Sequence, residues 1–339
     1  MRGLSRRAAA ATVASGLCAA PVLHVAALLP LGATTLASRL NEDMLTPLTD
    51  AGMRSLQGEL RYPPWLLGTW NVRNALLAYS SPLGDTFVDE YTVASAEDDV
   101  RSHWSAGYRL RWIPAPLSAG TPRLSAVQDR AFNGAQETAA FMDGDDRGEV
   151  RAAWSTSDRA PHGLLMIDVP RDGTADGARA ASGGVPDDRV SIELEVRHCA
   201  SEELPSGDFI TSELLLQTVR DGSGGARGSP PEVTLVESIT QYEPPDDRRG
   251  AVLARNRLAQ YLVPPPAGAG AGAWREAALA ALARGRAVSI YDYGWLLVPA
   301  ERADSSERLS KAPGPKRDSE APPPARRPLI LDGGPVAST

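Results

Sequence analysis

Apolar and polar positions alternate along most of the chain between Leu67 and Val298. A period of two sends successive side chains to opposite faces of a strand, so these runs predict strands with one buried face. In Gly107–Ile113, Tyr108, Leu110 and Trp112 share one face and Arg109 and Arg111 the other. Val190–Val196 is stricter, with Val190, Ile192, Leu194 and Val196 set against Ser191, Glu193 and Glu195. Looser strands are read at Trp70–Leu77, Thr86–Val93, Ala126–Phe132, Val150–Thr156, Gly163–Val169, Phe209–Arg220, Glu232–Tyr242 and Ala287–Val298, making about ten. Gly, Pro, Asp and Ser clusters such as 118–122, 143–148, 171–188 and 221–231 supply the connections. Two segments, Val252–Val263 and Trp274–Arg284, instead have helical spacing and good helix formers, separated by PPPAGAGAGA, and the second is capped by Gly285.

This pattern predicts an all-β fold: an antiparallel up-and-down β-barrel of about 8–10 strands, with one or two short helices before the last strand. Closing the sheet would remove the exposed edges that invite aggregation. A β-sandwich is the alternative. The segment RYPPWLLGTW (61–70) opens the barrel, with Gly68 turning the chain into the first strand and Trp70 covering the closed end.

Composition changes the picture mainly at the ends. The first 37 residues carry Arg2, Arg6 and Arg7, then an apolar run without acidic residues, then small residues up to Ala37. That is the layout of a cleaved export leader ending at Ala37, and Arg6-Arg7 suits twin-arginine export. Residues 38–60 form a lead-in, 61–300 the barrel domain, and 301–339 a Pro-, Ser- and Arg-rich tail expected to be disordered. With Cys18 removed in the leader, Cys199 would remain alone, and the mature chain would hold no disulfide. The net charge of −7 is spread along the 339 residues without a basic stripe, which argues against nucleic acid as a partner.

No catalytic constellation emerges. His103, His162 and His198 lie in different segments at no ligand spacing, so no metal or cofactor is expected. In strand geometry Arg130 and Phe132 would share one face, with Asp129 on the other and Asn133-Gly134 forming a hairpin turn. Arg130 would then either pair with a buried carboxylate or meet an anionic ligand group. Tyr291, Tyr293 and Trp295 share one face of the last strand, opposite Asp292. Three aromatics there suit a pocket wall or a packed core, and Asp292 must reach solvent or an arginine.

Taken together, YPPWLLGTWNV (62–72), VQDRAFNG (127–134), SELLLQTVRD (212–221), VTLVESITQYE (233–243), RLAQYLVPP (257–265) and AVSIYDYGWLLVP (287–299) resemble a family of uncharacterised proteins of cyanobacteria and plastids, a domain of unknown function. The resemblance implies an exported or chloroplast thylakoid-lumenal protein and carries no activity. Gly68-Thr69-Trp70 is also similar to the first-strand step of lipocalin-like barrels, which implies an arginine laid over the indole, with Arg130 and Arg286 as candidates. The expectation is a non-enzymatic binder of a small apolar molecule such as a pigment, quinone or lipid, contacted by Trp70, Arg130, Phe132, Tyr291, Tyr293 and Trp295. An assembly or stability factor for a photosynthetic membrane complex is the alternative. An isomerase using Asp129 and Arg130 is the third reading.

Overall fold

The computed structural model describes residues 35–49, 55–56, 58–116, 125–142, 149–157, 160–170, 189–221, 231–245, 250–264, 279–280 and 282–301. The leader up to residue 34, the PPPAGAGAGA stretch beyond Pro264 and the tail beyond Glu301 therefore lie outside the described residues.

The described strands are β1 (Gly68–Ser80), β2 (Ser105–Pro114), β3 (Ala126–Gln128), β4 (Arg151–Ser157), β5 (Ala160–Pro170), β6 (Arg189–Glu203), β7 (Phe209–Asp221), β8 (Glu232–Tyr242), β9 (Val252–Leu262) and β10 (Ala287–Pro299). They form one antiparallel sheet in the order β3-β2-β1-β10-β9-β8-β7-β6-β5-β4. β1 pairs along its length with β10, from Trp70 opposite Pro299 to Ser80 opposite Ile290. Among the described residues the ladder runs from β3 on one side to β4 on the other, a half-barrel in its hydrogen bonding, without the pairing of its two end strands that would close a cylinder. Helix α3 (Arg130–Ala140) packs against β2 on one side of that break and against β4 and β5 on the other.

The break explains two corrections. The strand read at Ala126–Phe132 stops at Gln128, and Asn133-Gly134 is no hairpin turn but lies inside α3. Asp129 caps this helix, its carboxylate accepting from the Phe132 N–H at 3.2 Å. Asn133 replaces the missing strand neighbour: its Oδ1 accepts from the Arg111 N–H at 2.7 Å and its Nδ2 donates to the Arg111 carbonyl at 3.2 Å. Gly134 lets the helix approach β5, since a Cβ there would stand 2.7 Å from a Leu165 methyl. Asn133→Ala would strip the Arg111 N–H of its acceptor, while the Arg111 carbonyl keeps the Asp129 N–H at 3.0 Å, and an expected loss of about 1–3 kcal/mol should appear in urea unfolding.

Two further assignments change. Thr86–Val93 is not a strand: a short turn, Asp85–Phe87, leads into α2 (Glu90–Arg101), capped by Asp89 accepting from the Thr92 N–H at 3.0 Å. Val252–Val263 is not a helix but β9. Its even positions Val252, Ala254 and Leu258 enter the main core, while Ala259 and Tyr261 are buried on the opposite wall. Apolar burial on both faces blurs the period of two, and pairing with β8 and β10 overrides the helix propensity of its Leu, Ala and Arg. Within Trp274–Arg284, the described positions 279, 280, 282 and 283 are helical.

A second apolar cluster covers the outer wall. Helix α1 (Leu36–Arg39) and the chain to Leu48 lay Leu36, Leu40, Leu45 and Leu48 over Ile210, Leu214, Ile239, Tyr261 and Ile290. Arg39 anchors this strap. Its guanidinium donates to both Glu237 carboxylate oxygens, at 2.7 and 2.8 Å, and to the Thr46 carbonyl at 2.7 Å. Arg257 donates to the Glu42 carbonyl and, at 2.8 Å, to Asp292. Asp292 thus meets an arginine, as its place beside the aromatics demanded. Cys199 is fully buried and disulfide-bonded in the full chain; the second cysteine, Cys18, lies outside the described residues.

Candidate functional site

The inner wall has two ends of different character. At the β1 start, Gly68 adopts φ +113°, the turn the sequence required, and Trp70 is buried with its Nε1 donating to the Leu66 carbonyl at 2.8 Å. Around it Tyr62 packs edge-on to Trp112, Phe209 and Tyr242, with ring centroids 5.7–6.1 Å apart. This end is filled by side chains. Trp70 belongs to that packing and lines no open space among the described pockets.

At the other end α2 lies across the sheet beside β1 and β10. Beneath it is a partly open pocket of about 50 Å3, lined by Leu76 of β1, Tyr91, Thr92, Ser95, Ala96 and Asp99 of α2, Trp104, Phe141, and Tyr291 and Tyr293 of β10. Tyr291 and Tyr293 stack with planes 15° apart, and Trp104 meets Phe141 at 5.1 Å. Burial pushes the Tyr291 hydroxyl up to about 12 and that of Tyr293 higher still. Both phenols therefore stay neutral donors across the physiological range. Strand alternation brings Tyr291, Tyr293 and Trp295 inward together, with Trp295 one layer deeper, packed edge-on to Tyr242.

Arg130 and Phe132 do not join this pocket. Arg130 is buried at the start of α3, where it ion-pairs with Glu213 at 2.9 Å and lies 5.1 Å over the Trp154 ring. The cation expected over Trp70 is thus over Trp154, and Arg286, the other candidate, donates to the Ala283 carbonyl. Because α3 is a helix, Arg130 and Phe132 do not share a face. Phe132 is half-buried on the outer side, under the Arg111 guanidinium at 4.2 Å. Asp129 is occupied by Arg111 at 2.6 Å and by capping the helix, which leaves the isomerase pair engaged structurally.

The interior also holds polar groups that sequence reading did not single out. Asn74 opposes Trp295 across the β1–β10 ladder, and its Nδ2 donates to the Tyr108 hydroxyl at 3.1 Å. Glu137 of α3 is buried, and desolvation drives its carboxyl well above the usual carboxylate range against the opposing pull of Arg130. Glu137 follows Arg130 by seven positions, two helical turns on the same face, a spacing visible only once 130–140 is read as a helix. On β9, Asn256 donates to Ser238 and Thr240, both at 2.8 Å.

A domain of unknown function (DUF6816) spans residues 55–176. That stretch contains β1 to β5, α2 and α3, hence the sheet break, the pocket's helical cover and Glu137, but neither Tyr291 nor Tyr293. Comparison with curated proteins and with solved structures finds no match. Among the described residues no group of three or more His, Cys, Asp or Glu is placed to hold a metal ion, and no helix is long and apolar enough to cross a membrane.

Proposed function

We propose that this protein is a non-enzymatic carrier of a small apolar molecule, seated in the aromatic pocket between α2 and the β10 tyrosines. The observation that carries this reading is the convergence of Trp104, Phe141, Tyr291 and Tyr293 on one space at the unfilled end of the sheet. Flat rings on several sides favour a flat partner, and the tyrosine hydroxyls orient it. The pocket is partly open, and its 50 Å3 is smaller than the roughly 150 Å3 of a cavity that takes benzene, so a pigment, quinone or lipid seats fully only as α2 lifts. That helix is suited to lifting. It buries only Ala96 and Asp99, leans chiefly on β1, and is followed by His103 at φ +54°. Export by the leader to the thylakoid lumen belongs to the same proposal.

Protein purified without denaturant should release a retained compound on organic extraction, identified by mass spectrometry. Trp104→Ala and Tyr293→Ala should each weaken rebinding of that compound about tenfold, the equivalent of losing one aromatic contact of about 1.4 kcal/mol. Protein that carries nothing, and whose tryptophan emission is unmoved by quinones, carotenoids and lipids, would refute the carrier reading.

A further inference from the structure

Below the pocket lies a layer of polar atoms that the protein itself leaves without partners. Asn74 Oδ1, Glu137 Oε1 and Trp295 Nε1 are all buried and accept or donate no hydrogen bond, and the three residues are 3%, 4% and 4% exposed. An orphaned polar atom in a protein interior is costly, and three in neighbouring residues call for a partner. They belong together. Asn74 and Trp295 are direct partners in the β1–β10 ladder, Asn74 bonds Tyr108, and the Tyr108 hydroxyl feels the Glu137 carboxyl. They also adjoin the pocket. Leu76 and Tyr293, which line it, stand two residues along the same inner faces from Asn74 and Trp295, and Phe141, which also lines it, is one turn beyond Glu137 on the same helix.

We infer that Glu137, Trp295 and Asn74 form the polar floor of the pocket and select a flat, neutral ring molecule that carries a carbonyl oxygen at its buried end. This rests on the carrier reading and gives it a substrate class. The Trp295 indole supplies one N–H. Burial pushes the Glu137 carboxyl towards its protonated form against the pull of Arg130, and the O–H of that form joins the indole N–H in facing the ligand carbonyl, with Asn74 Oδ1 an acceptor beside them. An anionic head is disfavoured because the uncompensated charge would enter the same desolvated layer, and a pure hydrocarbon leaves both donors orphaned. Phe141 links pocket and floor, its ring 6.3 Å from Tyr108 and 5.1 Å from Trp104.

The test compares 1,4-naphthoquinone with naphthalene by equilibrium dialysis against the full chain. The two probes share a flat body and differ in the carbonyls. Wild type is expected to bind the quinone at least tenfold more tightly. Glu137→Leu, which removes a buried acid and so should fold, is expected to bring the two probes within about twofold. Glu137→Gln keeps an N–H donor and should retain the preference. Equal binding of both probes by wild type, or a preference unchanged in Glu137→Leu, overturns the polar floor while leaving the carrier reading intact. Failure of wild type to bind either probe overturns the polar floor, while the carrier reading stands or falls on extraction of a retained compound and on the emission test.

Discussion

Arg39→Ala is expected to cost the fold about 3–5 kcal/mol, because it leaves a carboxylate buried without its cation. The pair is 1% and 0% exposed, so solvent screening does not discount it. Glu237 would keep hydrogen bonds from Ser212 at 2.8 Å and Tyr261 at 2.9 Å, but these do not neutralise the charge. Burial already raises the Glu237 carboxyl above its ordinary 4.5, with Arg39 the main opposing influence, and the variant raises it further. A carboxyl whose folded value is raised favours the protonated fold. Its contribution is present below the unfolded value and lost as pH rises through the folded one. The deficit relative to wild type should therefore be large at pH 8 and shrink towards pH 4.5. Urea titrations at the two ends of that window measure it, and a deficit under 1 kcal/mol that ignores pH would contradict the burial of the pair.

The second large effect is alkaline unfolding driven by tyrosine. Tyr62, Tyr108, Tyr242 and Tyr293 are all buried, and desolvation raises every one of their hydroxyls above 10. In the unfolded chain each ionises near pH 10, so above that pH each withdraws about 1.4 kcal/mol of stability per pH unit. Four together withdraw roughly 5 to 6 kcal/mol per unit, comparable to the 5–15 kcal/mol total of an ordinary domain. The sign follows from the raised folded values: the contribution is complete below pH 10 and disappears above it. Phenolate absorbance and loss of circular dichroism should therefore rise together in one steep transition between about pH 10 and 12. Phenolate appearing first, with the sheet still intact, would show those rings open to water.

The alternating runs of β2, of β6 over Val190–Val196 and of β10 over Asp292–Leu297 were legible because one face meets the core and the other meets water or charge. The Val190–Val196 register and the shared face of Tyr291, Tyr293 and Trp295 both lie where alternation puts them. β9 was not legible, since the strap adds a second buried face behind it. No local pattern reports a wall that is covered by residues two hundred positions away. The stretch after Gln128 misled for a different reason. Asn-Gly carries a strong turn signal, yet Asp129 in front of it and QETAA behind it are helix signals, and the gap between β3 and β4 decides for the helix. That choice hid Glu137, because a residue two turns beyond Arg130 has no strand-based reason to share its face. Half of the candidate site, the β10 aromatics, could be read directly; the helical half required the break to be known.

The seam between β1 and β10 sets a condition on biogenesis. Trp70 finds its neighbour only when Pro299 exists, and Leu45 accepts from the Ala287 amide at the same late stage. A nascent chain must therefore hold nine paired strands open-edged until its final ribbon is released from the ribosome or a translocation pore. Any product truncated before Ala287 would present two raw sheet borders, β1 and β9, to its neighbours. Such fragments should be found in aggregates or on chaperones rather than as a free species.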